Sequence, residues 1–297
     1  VEETRACPNA GTETERDAGK VHIVIETIAD YFANIPSSHR SLMLVGGIAF
    51  FWCLESAVPL FRFRYNKWRH AGVNLVFTLT TIAINFALAF LLLRATEWAQ
   101  ASHFGVLGCL GPLPILLQLV IGLLLLDLIG AYTAHWVEHK IDLLWRFHQV
   151  HHSDLFVDTT TANRHHPGES VIRFAFTTLA VVIAGAPIWM VMLYQSLSVL
   201  LSQFNHANIG LPPSVDRWLS LVIVTPDMHH VHHHHEQPLT DRNFGNIFSI
   251  WDRLFGTYAA APKESLVYGI DSHPDAAEAS SVRSLFLMPF RAGKTNR

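Results

Sequence analysis

Residues 72–93 are an uncharged stretch of apolar side chains with a few Thr and Asn. A helix needs about 20 such residues to cross a bilayer. No soluble fold of this size readily accepts a fully uncharged run of that length, so the rest of the chain must be organised around a membrane. Residues 42–61 and 113–134 are also apolar, with Glu55 and Asp127 as isolated acids. Residues 174–203 are apolar but interrupted by Gly185-Ala186-Pro187. Pro removes a helical hydrogen bond and Gly relaxes the backbone, which predicts a helical hairpin rather than one span. The whole chain is 15% charged and 50% apolar, well below the usual charge content of about 25%. No basic stripe of the nucleic-acid-binding type is present.

The connection after the first run carries Arg62, Arg64, Lys67 and Arg69, and the positive-inside rule places it in the cytoplasm. With a hairpin at 174–203, His135 and everything from His206 onward fall on that same side. Residues 1–20 read as a disordered polar tail, 21–36 as a short amphipathic surface segment, and 205–258 as an aqueous cap. The domain is expected to cover 21–262, with a C-terminal tail at 263–297. The expected fold is all-α, with about four membrane segments, one of them a hairpin, below a histidine-rich helical cap.

Histidine is the anomaly. Of 19 histidines, 14 lie between His135 and His235. His135 and His139 are spaced i,i+4 and share a helix face. His148, His151 and His152 form an HxxHH cluster, and His229, His232 and His233 repeat that spacing. His165, His166 and His206 lie between. A lone histidine at a helix end is ordinarily a satisfied surface or core residue, and His22, His39, His70, His103 and His273 are read that way. Three clusters at the ends of apolar helices are different: they exceed the three or four ligands that one zinc uses and suit two adjacent metals. Imidazole itself does not choose among Fe, Zn, Cu and Ni. Cys7, Cys53 and Cys109 form no CxxC pair, which argues against a thiolate site or a disulfide framework.

At these residues the chain resembles the fatty acid hydroxylase/sterol desaturase superfamily, over roughly 65–258. The likeness extends to Arg164-His165-His166-Pro167-Gly168-Glu169, to Phe204-Asn205-His206-Ala207-Asn208, to Asp241-Arg242-Asn243-Phe244-Gly245 and to Trp251–Tyr258. The resemblance implies metal ligation by His135, His139, His148, His151, His152, His229, His232 and His233, with His166 and His206 as additional ligands. The last cluster has two registers, since His230, His233 and His234 also satisfy HxxHH; Met228-His229 and Val231-His232-His233 favour the earlier one. His165, His230, His234 and His235 are left outside the ligand set. Asp227, Asp241, Asn243 and Glu169 are candidates for orienting the rings.

The implied cofactors are two Fe ions with O2 as co-substrate, although zinc could occupy a purified sample. The implied reaction is hydroxylation or desaturation of a lipid C–H bond in a fatty acyl chain, sterol, sphingolipid, carotenoid or ether lipid. No haem, flavin or ferredoxin module is visible within the sequence, so electrons are expected from a separate ferredoxin or cytochrome b5-type protein. The alternative is a zinc-dependent membrane hydrolase. Transport is disfavoured because 72–93 and 113–134 offer few polar side chains to line a path. Lys294-Thr295-Asn296-Arg297 carries no retention motif, which points to a bacterial inner membrane rather than the ER.

Overall fold

The computed structural model of the protein describes residues 13–271 and 276–291. Among them there is no strand beyond isolated bridges, and four helices are long and apolar enough to cross a membrane. The chain enters through α1 (Glu13–Ala33) and α2 (Ser37–Ala57), then α3 (Lys67–Ala101). Asn66 starts α3 by accepting from the Arg69 N–H at 3.0 Å, as N-cap side chains do. Its 35 residues span about 52 Å at 1.5 Å per residue, against a hydrocarbon core of about 30 Å. α3 therefore carries its first turns, with His70, beyond the core.

After the short α4 (Val106–Cys109), α5 (Ile115–Asp127) continues through a π-helical segment at Leu128–Thr133 into α6 (Ala134–Lys140). α7 (Asp142–His152) leads to α8 (Pro167–Ala184) and α9 (Ile188–His206). These last two are the expected hairpin, with arms longer than the apolar run that announced it. Gly185 terminates α8 in the left-handed region, at φ 66°. The tip then packs on backbone: a Cβ placed at Gly105 would stand 2.4 Å from the Gly185 nitrogen, and Gln100 Nε2 donates to Gly185 O at 2.6 Å. The tip thus meets the end of α3, so the hairpin reaches as deep as the full span. Its arms close on α5 through Leu126, Ala180, Val181, Ala184, Met190 and Val191. Lipid is as apolar as these side chains, so close packing rather than water exclusion holds this layer.

The cap contains α10 (Pro213–Leu219), α11 (Pro226–His232), α12 (Ile250–Leu254), α13 (Ala276–Ala279) and α14 (Val282–Leu287). Three expectations change. The first helix begins at Glu13, inside the stretch read as disordered; nothing in 13–20 breaks a helix, and Lys20 pairs with Asp17 one turn away. Residues 1–12 and 292–297 lie outside the described residues, as does His273. The C-terminal segment is not merely a tail. Leu285 and Met288 are buried with Val73, Phe77, Trp145 and Val150, and Phe286 stacks on Phe77 at 4.9 Å; this helix is too short for its periodicity to stand out. Finally, 205–258 is not wholly aqueous. Buried Asp127 accepts from the backbone N–H of Ile247 and Phe248 and from Trp251 Nε1, at 3.3, 3.1 and 3.0 Å. That ties the cap to a helix inside the span.

Gly105 and Gly111 both have positive φ, but only Gly105 has backbone within reach of an added Cβ. Gly111→Ala should cost only the left-handed penalty of about 1–2 kcal/mol. Gly105→Ala must also displace the hairpin tip, and should lower the thermal transition of the detergent-purified protein by clearly more.

Candidate metal centre

Four helices deliver the imidazoles to one place. α6 presents His135 and His139 a turn apart, α7 presents His148, His151 and His152, α9 ends in His206, and α11 supplies His229 and His232 with His233 next to its end. Nine of these rings fall into two buried groups. His135, His139, His148, His152 and His232 form one, and His151, His206, His229 and His233 the other; within each, one donor atom per residue lies within 4.8 Å of all the rest. The groups adjoin, with the His152 and His233 rings stacked at 4.8 Å and His148 and His151 at 5.3 Å.

The outer hydrogen bonds fix which ring nitrogen faces inward. His135 Nδ1 donates to Phe244 O at 2.9 Å, His206 Nδ1 to Ser202 O at 2.8 Å, and His232 Nδ1 to Arg242 O at 2.6 Å. A carbonyl only accepts, so in a neutral ring each of these Nε2 atoms is a bare lone pair. His148 Nδ1 lies 2.7 Å from Glu169 Oε1 and His139 Nδ1 3.2 Å from Asp241 Oδ1, with the same consequence. The inner nitrogens converge. His135 Nε2 is 3.1 Å from His148 Nε2, and His139 Nε2 is 3.2 Å from His152 Nε2. His206 Nε2 is 3.0 Å from both His151 Nε2 and His229 Nε2.

His135 and His148 both have Nδ1 engaged outward, so their facing Nε2 lone pairs repel unless a cation sits between them. Two nitrogens about 2.1 Å from one ion at roughly right angles stand about 3.0 Å apart, which is the spacing found. Fully buried His233 has no hydrogen-bond partner at either ring nitrogen among the described residues. The donor set therefore fits two metal ions. Protonation does not compete at neutral pH. Burial pushes the His148 pKa down to about 4, against the pull of Glu169. Burial and neighbouring imidazoles hold His151, His152, His229 and His233 well below the ordinary histidine value.

Not every candidate converges. His166 stands apart, with both nitrogens engaged: Nδ1 accepts from the Gly168 N–H at 3.0 Å, and Nε2 donates to Phe286 O at 3.3 Å. It caps α8, the common role of a polar residue before Pro at a helix start. His230 accepts from Tyr268 OH at 2.6 Å and donates to His206 O at 3.1 Å, and it is in neither group, whereas His229, His232 and His233 are. Of the proposed orienting residues, Glu169 and Asp241 meet rings. Asn243 instead donates to Met228 O and Ala259 O, both at 2.8 Å, and Asp227 pairs with Lys263 at 2.8 Å.

Sequence reasoning missed Arg173 and Glu138. Arg173 Nη2 meets Glu138 Oε2 at 2.8 Å, and its Nε meets Glu169 Oε1 at 2.9 Å, bracing the carboxylate that orients His148. The available signal was Glu138 inside the HxxxH box itself and a cation at the start of an apolar run. It also passed over the scaffold behind α7. Arg164 donates to Val150 O, Ser153 Oγ and Ala279 O at 2.9, 2.9 and 2.7 Å. Asp154 chelates His70 Nε2 at 2.8 and 2.9 Å. Burial alone would raise the Asp154 pKa, but His70 and Arg164 hold it well below the carboxylate range.

A cavity of about 30 Å³ adjoins the metal groups, lined by Ala131, His135, His151, Arg173, Ser202 and Asn246 among others. One water needs about 10–15 Å³, so it has room for a molecule the size of O2 or water and not for an acyl chain. A larger cavity, about 180 Å³, lies by Tyr65, His70 and Asp154 and touches none of the nine rings.

The model of the fatty acid hydroxylase family matches residues 119–257, a stretch that contains all nine converging histidines. Over this stretch the chain carries a fatty acid hydroxylase domain, which with its relatives supports the fatty acid hydroxylase/sterol desaturase superfamily. It is 28% identical over 184 residues to the ornithine lipid hydroxylase OlsE of Rhizobium tropici, covering 62% of this chain and 53% of that protein. It is 32% identical over 147 residues to alkylglycerol monooxygenase of Danio rerio, covering 49% and 31%. With the cholesterol 25-hydroxylase-like protein of Danio rerio the identity is 26% over 210 residues, covering 69% and 81%. The chain thus spans about half the length of the first relative and about a third of the second. No solved structure matches it.

The protein should lose most of its metal-dependent thermal stabilisation in His233→Ala, whose ring has no other partner. His166→Ala should retain it, with only the modest loss of about 1 kcal/mol typical of a missing helix cap. Thermal transitions before and after chelation check both.

Proposed function

We propose that the protein is a membrane monooxygenase that hydroxylates a lipid C–H bond, with two irons held by the nine converging histidines. The carrying observation is the pair of adjoining buried groups of five and four imidazoles whose ring nitrogens converge. The overall change is R–H + O2 + 2 electrons + 2 protons giving R–OH + H2O. Irons in these groups would supply the redox chemistry that activates O2, and the electrons come from a separate donor protein. The chain's own residues do the rest. Carbonyls of Ser202, Arg242 and Phe244 hold ring protons on the outer nitrogens, leaving the inner ones as donors. Glu138 and Glu169, clamped by Arg173, hold His148 in line. The small cavity has room for a diatomic gas beside His135 and His151.

A lipid substrate is supported by the spans and by relatives named for ornithine lipid, alkylglycerol and cholesterol. The metal groups lie at the membrane boundary, where an apolar chain can approach from the bilayer. The basic loop supports a cytoplasmic site. Exposed Arg62 and Arg64 lie in the segment bridged to the end of α9, where Pro59 pairs with Ile209 and Phe61 N donates to Asn208 Oδ1 at 2.8 Å. The loop and His206 therefore share one side, which the positive-inside rule assigns to the cytoplasm. Nothing favours the hydrolase reading: a hydrolytic zinc takes three protein ligands and an open position, and either group here offers more.

The test is expression in cells supplied with 18O2, followed by lipid mass spectrometry. The expected product is a lipid heavier by one 18O atom, absent in His151→Ala. An oxygen drawn from water, or cleavage without O2, would refute the proposal.

A further inference from the structure

The cap exposes a row of large apolar side chains that an aqueous domain would hide. Trp218 is 67% exposed and Leu254 66% exposed, and Leu221, Val222, Ile250 and Phe255 are exposed with them. They come from two segments that the fold sews together. Val224 N donates to Ile247 O at 3.0 Å, Ser249 N to Val222 O at 3.1 Å, and Ser249 Oγ to Ser220 O at 2.6 Å. A contiguous apolar patch of this kind marks an interaction surface rather than ordinary scatter.

Its position says what covers it. The second segment is fastened to Asp127 through Ile247, Phe248 and Trp251. Asp127 is twelve residues after Ile115, or about 18 Å along a helix rising 1.5 Å per residue. That depth is inside a core of about 30 Å. Phe255, itself exposed, stacks on the buried Tyr132 ring at 5.3 Å, so the patch lies directly against the helix that continues the span. Irregular backbone is tolerated at such depth only where its polar groups are met by protein, and the Asp127 carboxylate meets them. Cations border the patch with their guanidinium groups against aromatic rings: Arg217 Cζ lies 5.6 Å from the Trp218 ring centre and Arg253 Cζ 4.3 Å from that of Tyr258. An apolar face bordered by basic groups is the composition of a segment lying in a membrane interface.

We infer that residues 213–223 and 250–255 form a wedge embedded in the bilayer that the protein spans, on the metal-centre side, with Trp218, Leu221 and Leu254 among acyl chains and Arg217 and Arg253 at the phosphates. The occupant is lipid, not a soluble partner or a second copy. The wedge shares its loop with the metal cavity, since Gly245 and Asn246 line that cavity and Phe244 O holds His135. Lipid contacting the wedge is therefore one loop away from the histidines.

The test uses the full chain in nanodiscs of phosphatidylcholine with phosphatidylglycerol, with Cys7, Cys53 and Cys109 replaced by Ser. Spin labels are placed by Trp218→Cys, Leu221→Cys and Leu254→Cys, with Phe86→Cys on α3 as the lipid standard and Glu236→Cys as the water standard. Collision with O2 and with an aqueous nickel chelate is compared. The three wedge labels should follow Phe86, favouring O2 several-fold over nickel relative to Glu236. Labels that follow Glu236 would overturn the inference, as would labels shielded from both reagents, which would mean protein covers the patch. A label-free check guards against misfolded variants. Brominated lipid should quench tryptophan emission less in Trp218→Phe than in the otherwise native chain, and equal quenching would also overturn the inference.

Discussion

Imidazole ring nitrogens converging to 3.0–3.2 Å of one another in a buried site set the terms for the rest of the molecule. A buried polar group left without a partner costs about 1–3 kcal/mol. Several such nitrogens at that cost would take a large part of a typical folding stability of about 5–15 kcal/mol. Metal binding at a structural site is worth about 10–16 kcal/mol, which is of the right size to offset it. The arrangement is therefore intelligible as a receptor for cations and not as a histidine core. It also explains why His135, His139, His148, His206 and His232 are held from outside. A ligand shell with no carboxylate contributes no negative charge of its own, so Glu138, Glu169 and Asp241 stand one layer back, where they orient rings and balance charge without entering either group.

Helix geometry then follows from delivering nine rings to one point at the edge of a bilayer. α3 is longer than the membrane is thick because its first turns must reach the Asp154–Arg164 scaffold that fixes α7. The hairpin must return to the side from which it left, since Glu169 and His166 open one arm and His206 closes the other. Asp127 couples the two layers: it satisfies backbone in the cap from within a spanning helix, so the loop carrying Phe244 has a fixed height relative to the bilayer. The π-helical stretch at Leu128–Thr133 lies between that anchor and His135. One extra residue per turn there changes the rotation of α6, and hence the direction in which His135 and His139 face.

Much of this was legible in the sequence because it rests on periodicity. Four-residue and three-residue spacings bring His135, His139, His148, His151 and His152 together on helices, and Gly185-Ala186-Pro187 marks the hairpin bend through backbone chemistry alone. The register of His229, His232 and His233 was legible through neighbouring residues. What escaped was tertiary. His166 has the right neighbours for a ligand, but its place before Pro167 makes it a cap. Arg173 meets Glu169 one turn away on α8, but it reaches Glu138 only once α6 lies beside α8. His70 looked like an isolated histidine until the fold set it against Asp154. The apolar face of 213–223 and 250–255 is divided between two segments, so neither shows a long hydrophobic run, and the composition around them is that of a polar cap.

Metal stoichiometry tests the central claim most directly. Protein expressed in iron-replete cells and purified in detergent should contain about two irons per chain, one for each histidine group, and Mössbauer spectra should show them magnetically coupled because the groups share a wall. Reconstitution of the metal-free chain with ferrous iron should restore the same signal. A single ion per chain after such reconstitution, or two that do not interact, would contradict the account.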